Sequence, residues 1–215
     1  MSGTVRVRPA RPFDGPFIAG VLEMAGRGHL ARGAWDVAFD DEGVRARALE
    51  ELATAAPASW CHHSVFRVAE VDGVAAAALC AFGAGPTTEH DFGVALGHVH
   101  RHLGWSDAEI GTQIERLGPF LECFPDMPPG TWIVENVGTA AAYRRRGLVR
   151  ELLDRALADG RAAGHARAQI SCLVGNDPAR RAYERAGFEV VEERTHPAFE
   201  ALLGTPGFVR MTMRL

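Results

Sequence analysis

Arg144, Arg145 and Arg146 stand directly before Gly147, at a point where a helix is expected to begin. Cations are disfavoured there, because a helix N-terminus already carries about half a positive charge. The cluster suits an anion held among the guanidinium groups and free peptide N–H groups, as at many phosphate sites. Gly147 would let the backbone approach that anion closely. A solvated basic turn is the competing reading. Further along, Asn176-Asp177-Pro178-Ala179 opens a second helix that carries Tyr183 and ends at Gly187-Phe188. Asn176 and Tyr183 lie two helical turns apart, hence on roughly the same face. Alone, this is a capped amphipathic helix with a core tyrosine. One carboxylate, Glu135, interrupts the apolar stretch Thr131 to Thr139 upstream of both segments.

Other constellations carry less. His98, His100 and His102 alternate, so a strand would align them as a metal triad. No strand is indicated there, a loop or surface helix fits better, and no metal is expected. Cys61-His62-His63 has no motif around it. Gly26-Arg27-Gly28-His29-Leu30-Ala31 matches a dinucleotide fingerprint by letter only, since it follows a helix rather than a strand. Cys61, Cys80, Cys123 and Cys172 are widely spaced without a C-x-x-C pair, which reads as reduced thiols.

Composition narrows the class. The 215 residues are 47% hydrophobic and 23% charged, near the globular average, so disordered and fibrous classes drop out. The 23 basic and 27 acidic residues give a net charge of -4, the wrong sign for a general nucleic-acid binder. Every basic residue is Arg, which removes the phosphate-loop lysine signature. Val74 to Phe82, the longest apolar run, is far short of the roughly 20 residues that span a bilayer. Met1 to Arg8 lacks the apolar stretch of a signal peptide. A cytoplasmic protein without membrane or nucleic-acid partners is expected.

The elements that must position these residues follow from periodicity. Val5 and Val7 alternate with arginines in a short strand ended by Pro9, and Asp14 can cap a helix from about Pro16 to Gly26. Another helix is expected over Glu42 to Ala53. Strands at Ser64 to Val71 and Val74 to Phe82 flank Asp72-Gly73, a strong hairpin signal. Gly83 to Gly130 changes character, with two helix-like patches, the clearer one near Ser106 to Leu117. After the strand at Thr131 to Thr139, a helix from about Gly147 to Asp159 puts Leu148, Leu152 and Ala156 on one row and Val149, Leu153 and Leu157 on the next. That double row is a buried face. A strand over Ala166 to Val174, the helix after Asn176, and a strand pair at Phe188 to Arg194 and Phe208 to Arg214 complete the chain. The sum is a mixed α/β domain.

Arg144-x-x-Gly147 at a helix start, then Asn176-x-x-Ala179 and Tyr183-x-x-x-Gly187-Phe188, resemble the two motifs of the GNAT superfamily of acyl-CoA-dependent N-acetyltransferases. The resemblance is strong over Thr131 to Phe188 and weaker over the first strand, first helix and hairpin. Val149 departs from it where Gly or Ala is usual, and Ala141 where Pro is common. It implies an α/β (α+β) fold with a mixed, mostly antiparallel central sheet flanked by helices. One domain over 1–215 is expected, with an insertion at 83–130 between the third and fourth strands.

The resemblance also implies roles. Acetyl-CoA is the cosubstrate; the backbone of Val137, Gly138 and Thr139 would pair with its pantetheine arm. Amides around Arg144, Arg145, Arg146, Gly147, Leu148 and Val149 would hold its pyrophosphate, with Asn176 reaching the arm from the other side. An ammonium has no lone pair to attack a thioester, so a base must take its proton. Glu135 is the candidate, on the reasoning that it shares strand parity with Val137 and Thr139; an edge carboxylate or a structural partner of an Arg is the alternative, and a water chain could replace it. Tyr183 resembles the family's general acid toward the leaving thiolate. The expected activity is acetyl transfer from CoA to a primary amine in a ternary complex, the acceptor being a small molecule or a peptide or protein amine. The alternative is a non-catalytic acyl-CoA-binding sensor with the same cleft. The 83–130 segment is expected to wall the acceptor side with His98, His100, Trp105, Phe120 and Phe124, and a homodimer is left open.

Overall fold

A computed structural model describes residues 3–215. Seven strands form one sheet: β1 (Val5–Pro9), β2 (Phe66–Val71), β3 (Val74–Gly83), β4 (Trp132–Thr139), β5 (Arg167–Leu173), β6 (Glu189–Thr195) and β7 (Gly207–Arg214). Their spatial order is β1-β2-β3-β4-β5-β7-β6, and β4–β5 is the parallel pair among antiparallel neighbours. The β2–β3 hairpin turns where expected. Asp72 and Gly73 both take positive φ, 52° and 81°, the backbone that a two-residue primed turn requires.

Eight helices flank the sheet: α1 (Gly15–Arg27), α2 (Ala34–Ala38), α3 (Glu42–Leu52), α4 (Thr88–His102), α5 (Asp107–Cys123), α6 (Leu148–Ala162), α7 (Asp177–Arg185) and α8 (Pro197–Leu203). Asp14 precedes α1 but does not cap it with its side chain. Its carboxylate instead takes both terminal nitrogens of Arg8, at 2.7 and 2.8 Å, and the Arg11 N–H. That buried pair ties β1 to the start of α1, and the guanidinium hydrogen bonds hold the Asp14 carboxyl below its usual range despite burial.

Three cores result. The double row on α6 packs Leu148, Leu152, Leu153, Ala156 and Leu157 against Val134, Ala168 and Ile170, together with Tyr183 and Phe188 from around α7. The opposite face of the sheet is covered by α1, α3 and α4 through Ile18, Val21, Leu22, Leu49 and Val99. A third cluster joins Val37, Leu173, Phe199 and Phe208 to Phe120 and Phe124.

The 83–130 segment is therefore ordered by two helices. Helix α5 begins at a capping box in which Ser106 and Glu109 satisfy each other's N–H groups. Gln113, buried, donates to the Ala38 carbonyl, and Phe120 stacks on Phe199 at 5.9 Å. On helix α4, His100 turns inward, while His102 pairs with Glu51 on α3. The three histidines thus share no common face, and among the described residues no His, Cys, Asp and Glu cluster could hold a metal. Phe120→Ala removes a ring that meets Phe124, Phe199 and Phe208. It is expected to cost about 2–4 kcal/mol of stability, read as a lower urea midpoint with unchanged slope.

Candidate active site

The site begins where β4 and β5 part. They pair in parallel through Trp132–Ala168, Ile133–Gln169 and Val134–Ile170, and the ladder ends there. Beyond Val134 the strands fork, and the β5-facing peptide groups of β4 lose their partner strand while β3 still pairs β4 as far as Thr139. Unpaired strand edges of this kind bind an extended, amide-bearing chain by adding to the sheet.

A bulge sits inside the fork. Pairing moves from Cys80–Glu135 to Ala78–Gly138, so β4 spends one extra residue. Asn136 takes φ 53°, a left-handed conformation that asparagine tolerates, and its side-chain amide reaches the Cys80 sulfur at 3.5 Å. The extra residue breaks the strand parity expected from sequence. Glu135 lies opposite Cys80, on the α1 side, whereas Val137 packs into the core beneath α6. Gly138 takes over the α1 side, and a Cβ there would meet Val21 at 3.1 Å.

Glu135 stands at the base of the fork, partly exposed. Ser171 on β5 donates to its Oε1 at 2.7 Å. Desolvation pushes the carboxyl up to about 7, against the lowering effect of hydrogen bonds from Ser171 and the Asn136 N–H. The expected alternative, an ion pair with an arginine, is not what this carboxylate makes. Tyr183 comes from α7, on the other side of the sheet, with 6% of its surface exposed. Burial pushes its phenol well above the ordinary value, with smaller contributions from Cys172 and Glu135. Cys80 and Cys172 are buried free thiols, the latter pushed up to about 11.

A cavity of 290 Å³ opens at the start of α6. Thr139, Arg145, Arg146, Gly147, Leu148 and Val149 line it, as expected for most of the cluster. Arg145 and Gly147 both take positive φ, 62° and 81°, so the chain turns sharply just before α6. Among the described residues, the N–H groups of Arg145 through Val149 find no protein acceptor, and those of Leu148 and Val149 are first-turn donors. The hydroxyl of Thr139 is buried without a partner in the same wall. An anion with several acceptor oxygens would satisfy all of these groups. Val149 fits beside them and packs its side chain toward the core, so the missing Gly or Ala leaves the cavity open.

Not every expected residue is brought here. Arg144 lies off the wall, with its Nε on the Thr139 carbonyl at 3.4 Å. Asn176 caps α7 by accepting from Ala179 N–H, and its amide faces Gly28 on the α1 side. Val137 and Gly138 belong to the fork, not to the cavity. Tyr143, Arg150, Ala182 and Arg185 line the cavity without having been singled out from sequence. Arg150 could have been found, one helical turn beyond Arg146; Arg185 arrives only through the packing of α7.

The family model for the Acetyltransferase (GNAT) family matches residues 30–188, most of the chain and all of the fork and cavity. The chain belongs to the GNAT family. Solved structures agree on the fold of this GNAT protein from end to end. An N-acetyltransferase from Staphylococcus aureus Mu50 is 18% identical, with 97% of this chain and 100% of that chain covered at a TM-score of 0.69. A second acetyltransferase structure, 19% identical, covers 97% and 98% at 0.70. A GCN5-related N-acetyltransferase from Kribbella flavida, 18% identical, covers 98% of each chain at 0.57. Among curated proteins no significant sequence match is found. No helix among the described residues is long and apolar enough to cross a membrane.

Proposed function

We propose that this GNAT protein is an acetyl-CoA-dependent N-acetyltransferase that moves the acetyl group directly to a primary amine. The observation that carries the reading is the fork itself, with an arginine-lined cavity at one end and, at its base, a carboxylate that desolvation pushes up to about 7. Bound acetyl-CoA supplies an activated thioester. Arg145, Arg146 and the N–H groups through Val149 hold its pyrophosphate, and the open edge of β4 from Val137 to Thr139 holds its pantetheine arm. Arg144 and Asn176 support these segments from behind the walls.

Glu135 takes the amine proton, either directly or through water. Its position on the α1 side, the face that α1 and α4 cover, supports an acceptor bound there with the 83–130 segment as its wall. The neutral thiols of Cys80 and Cys172 favour direct transfer over a cysteine-borne acetyl group, because a protonated thiol is a poor nucleophile. Tyr183 serves the leaving thiolate as a hydrogen-bond donor. Its phenol holds its proton too tightly to be a strong acid toward a thiol of ordinary pKa about 8.5. Tyr183→Phe keeps the ring and deletes the hydroxyl, so turnover should fall roughly tenfold or more while acetyl-CoA affinity stays within about twofold. Single-turnover kinetics beside calorimetry separate the two.

The deciding experiment is thiol release from acetyl-CoA across a panel of small amines and peptide N-termini. Release that depends on an added amine supports the reading and identifies the acceptor. Tight acetyl-CoA binding with no release for any amine would instead favour an acyl-CoA sensor.

A further inference from the structure

At the fork, Glu135 and Ser171 are the first residues on their strands beyond the last rung, Val134–Ile170. The bond from the Ser171 hydroxyl to Glu135 Oε1 therefore takes the place of the next backbone rung, joining the two strands where they would otherwise part. On β5, Ala168, Ile170 and Cys172 face the α6 core, whereas Gln169, Ser171 and Leu173 face the other way. Gln169 is engaged by the Asp126 carbonyl, and Leu173 by the phenylalanine cluster. Ser171 is left with Glu135.

Among the described residues this carboxylate makes no salt bridge, and Ser171 is its side-chain hydrogen-bond partner. The ionisable groups that feel it include Cys80 on β3, Cys172 on β5 and Tyr183 on α7, all neutral when protonated. From β7, Arg210 stands directly across from Ser171, its guanidinium engaged by Glu192 at 2.7 Å and by Gln169 at 3.5 Å. Two hydrogen-bond donors offset its desolvation: the Asn136 N–H and the Ser171 hydroxyl. The first is backbone and fixed by the bulge. The second is the one side chain in the set.

We propose that Ser171 is a positioning residue for proton transfer, holding the Glu135 carboxylate in place at the base of the fork. This rests on the reading of Glu135 as the base. No atom of Ser171 is transferred; the hydroxyl keeps its proton while donating a hydrogen bond to Oε1, leaving Oε2 to receive the proton of the amine.

The test pairs two readouts on Ser171→Ala, Ser171→Thr and Glu135→Gln. Infrared titration of the carboxyl band that Glu135→Gln removes reports Glu135 itself, whatever its role. The pH–rate profile with a reactive amine reports the base. In Ser171→Ala both midpoints should rise together by about one pH unit, the size of one charge-assisted hydrogen bond. The rate loss should be largest near neutral pH, with the acetyl-CoA dissociation constant unchanged. Ser171→Thr keeps a hydroxyl and should return both midpoints toward wild type. An unmoved infrared midpoint in Ser171→Ala overturns the proposal while leaving Glu135 as base intact. A moved infrared midpoint with the acidic limb surviving in Glu135→Gln overturns Glu135 as base, and Ser171's part in catalysis with it.

Discussion

Glu135→Gln is expected to lower turnover by about 10²–10⁴, the usual contribution of a positioned general base, and to flatten the acidic limb of the pH–rate profile. The sign follows from the titration. Only the carboxylate can accept the amine proton, and desolvation pushes this carboxyl up to about 7. Wild-type activity should therefore rise with pH through that point. Glutamine keeps the shape and accepts the Ser171 hydrogen bond but cannot be protonated, so the rise disappears. An acidic limb that survives unchanged in the variant would move the base to another residue or to water.

The same group costs the fold stability, which gives the prediction a second, independent face. The folded state keeps the Glu135 proton up to about pH 7, whereas an unfolded chain releases it near 4.5. Native Glu135 thus binds more protons across that window, and its contribution to stability falls as pH rises from 4.5 to 7. Glu135→Gln removes the ionised, desolvated charge, so the variant should melt above wild type at pH 8 and close to it at pH 4.5. A less active, more stable enzyme is the behaviour of a residue kept for chemistry.

Much of this site was legible in the sequence, and the misses have physical causes. Leu148 through Leu157 announced α6 because an i, i+4 double row has few other solutions. The Asp72-Gly73 turn was equally clear because its backbone excludes most residues. Glu135 is singled out in the sequence for sharing strand parity with Val137 and Thr139, and that parity does not hold. A single bulge at Asn136 reverses every parity argument downstream of it, and Asn136 is no louder a signal than any other strand asparagine. Helices α2 and α8 are too short, at five and seven residues, to show a period. Ser171 alternates correctly with Ile170 and Cys172, yet its importance depends on which strand lies beside β5, and order within the sheet is tertiary information. Arg185 is the same case: its place on the cavity wall comes from how α7 docks.

The second large effect concerns that wall. Replacing Arg145 and Arg146 together by Ala should weaken acetyl-CoA binding by about 10- to 100-fold, roughly 1.4–2.8 kcal/mol. Both guanidinium groups line the cavity and both are exposed, so their attraction for a pyrophosphate is screened by salt. The double variant should therefore also lose most of the salt dependence of binding. Arg144→Ala should leave affinity within about threefold, since that side chain lies off the wall. Without ligand the expectation reverses. The two cations crowd the positive end of α6, so removing them relieves repulsion worth about 0.3–1 kcal/mol each at low salt. The free double variant should melt at or above wild type, while the rise in melting temperature on adding acetyl-CoA shrinks. Calorimetry at two ionic strengths, with melting curves in the presence and absence of acetyl-CoA, checks each part. Unchanged affinity and an unchanged salt slope would put the phosphate site elsewhere. A fall in both the free melting temperature and the affinity would instead mean that the arginines hold the fold, and that the anion is bound by the N–H groups alone.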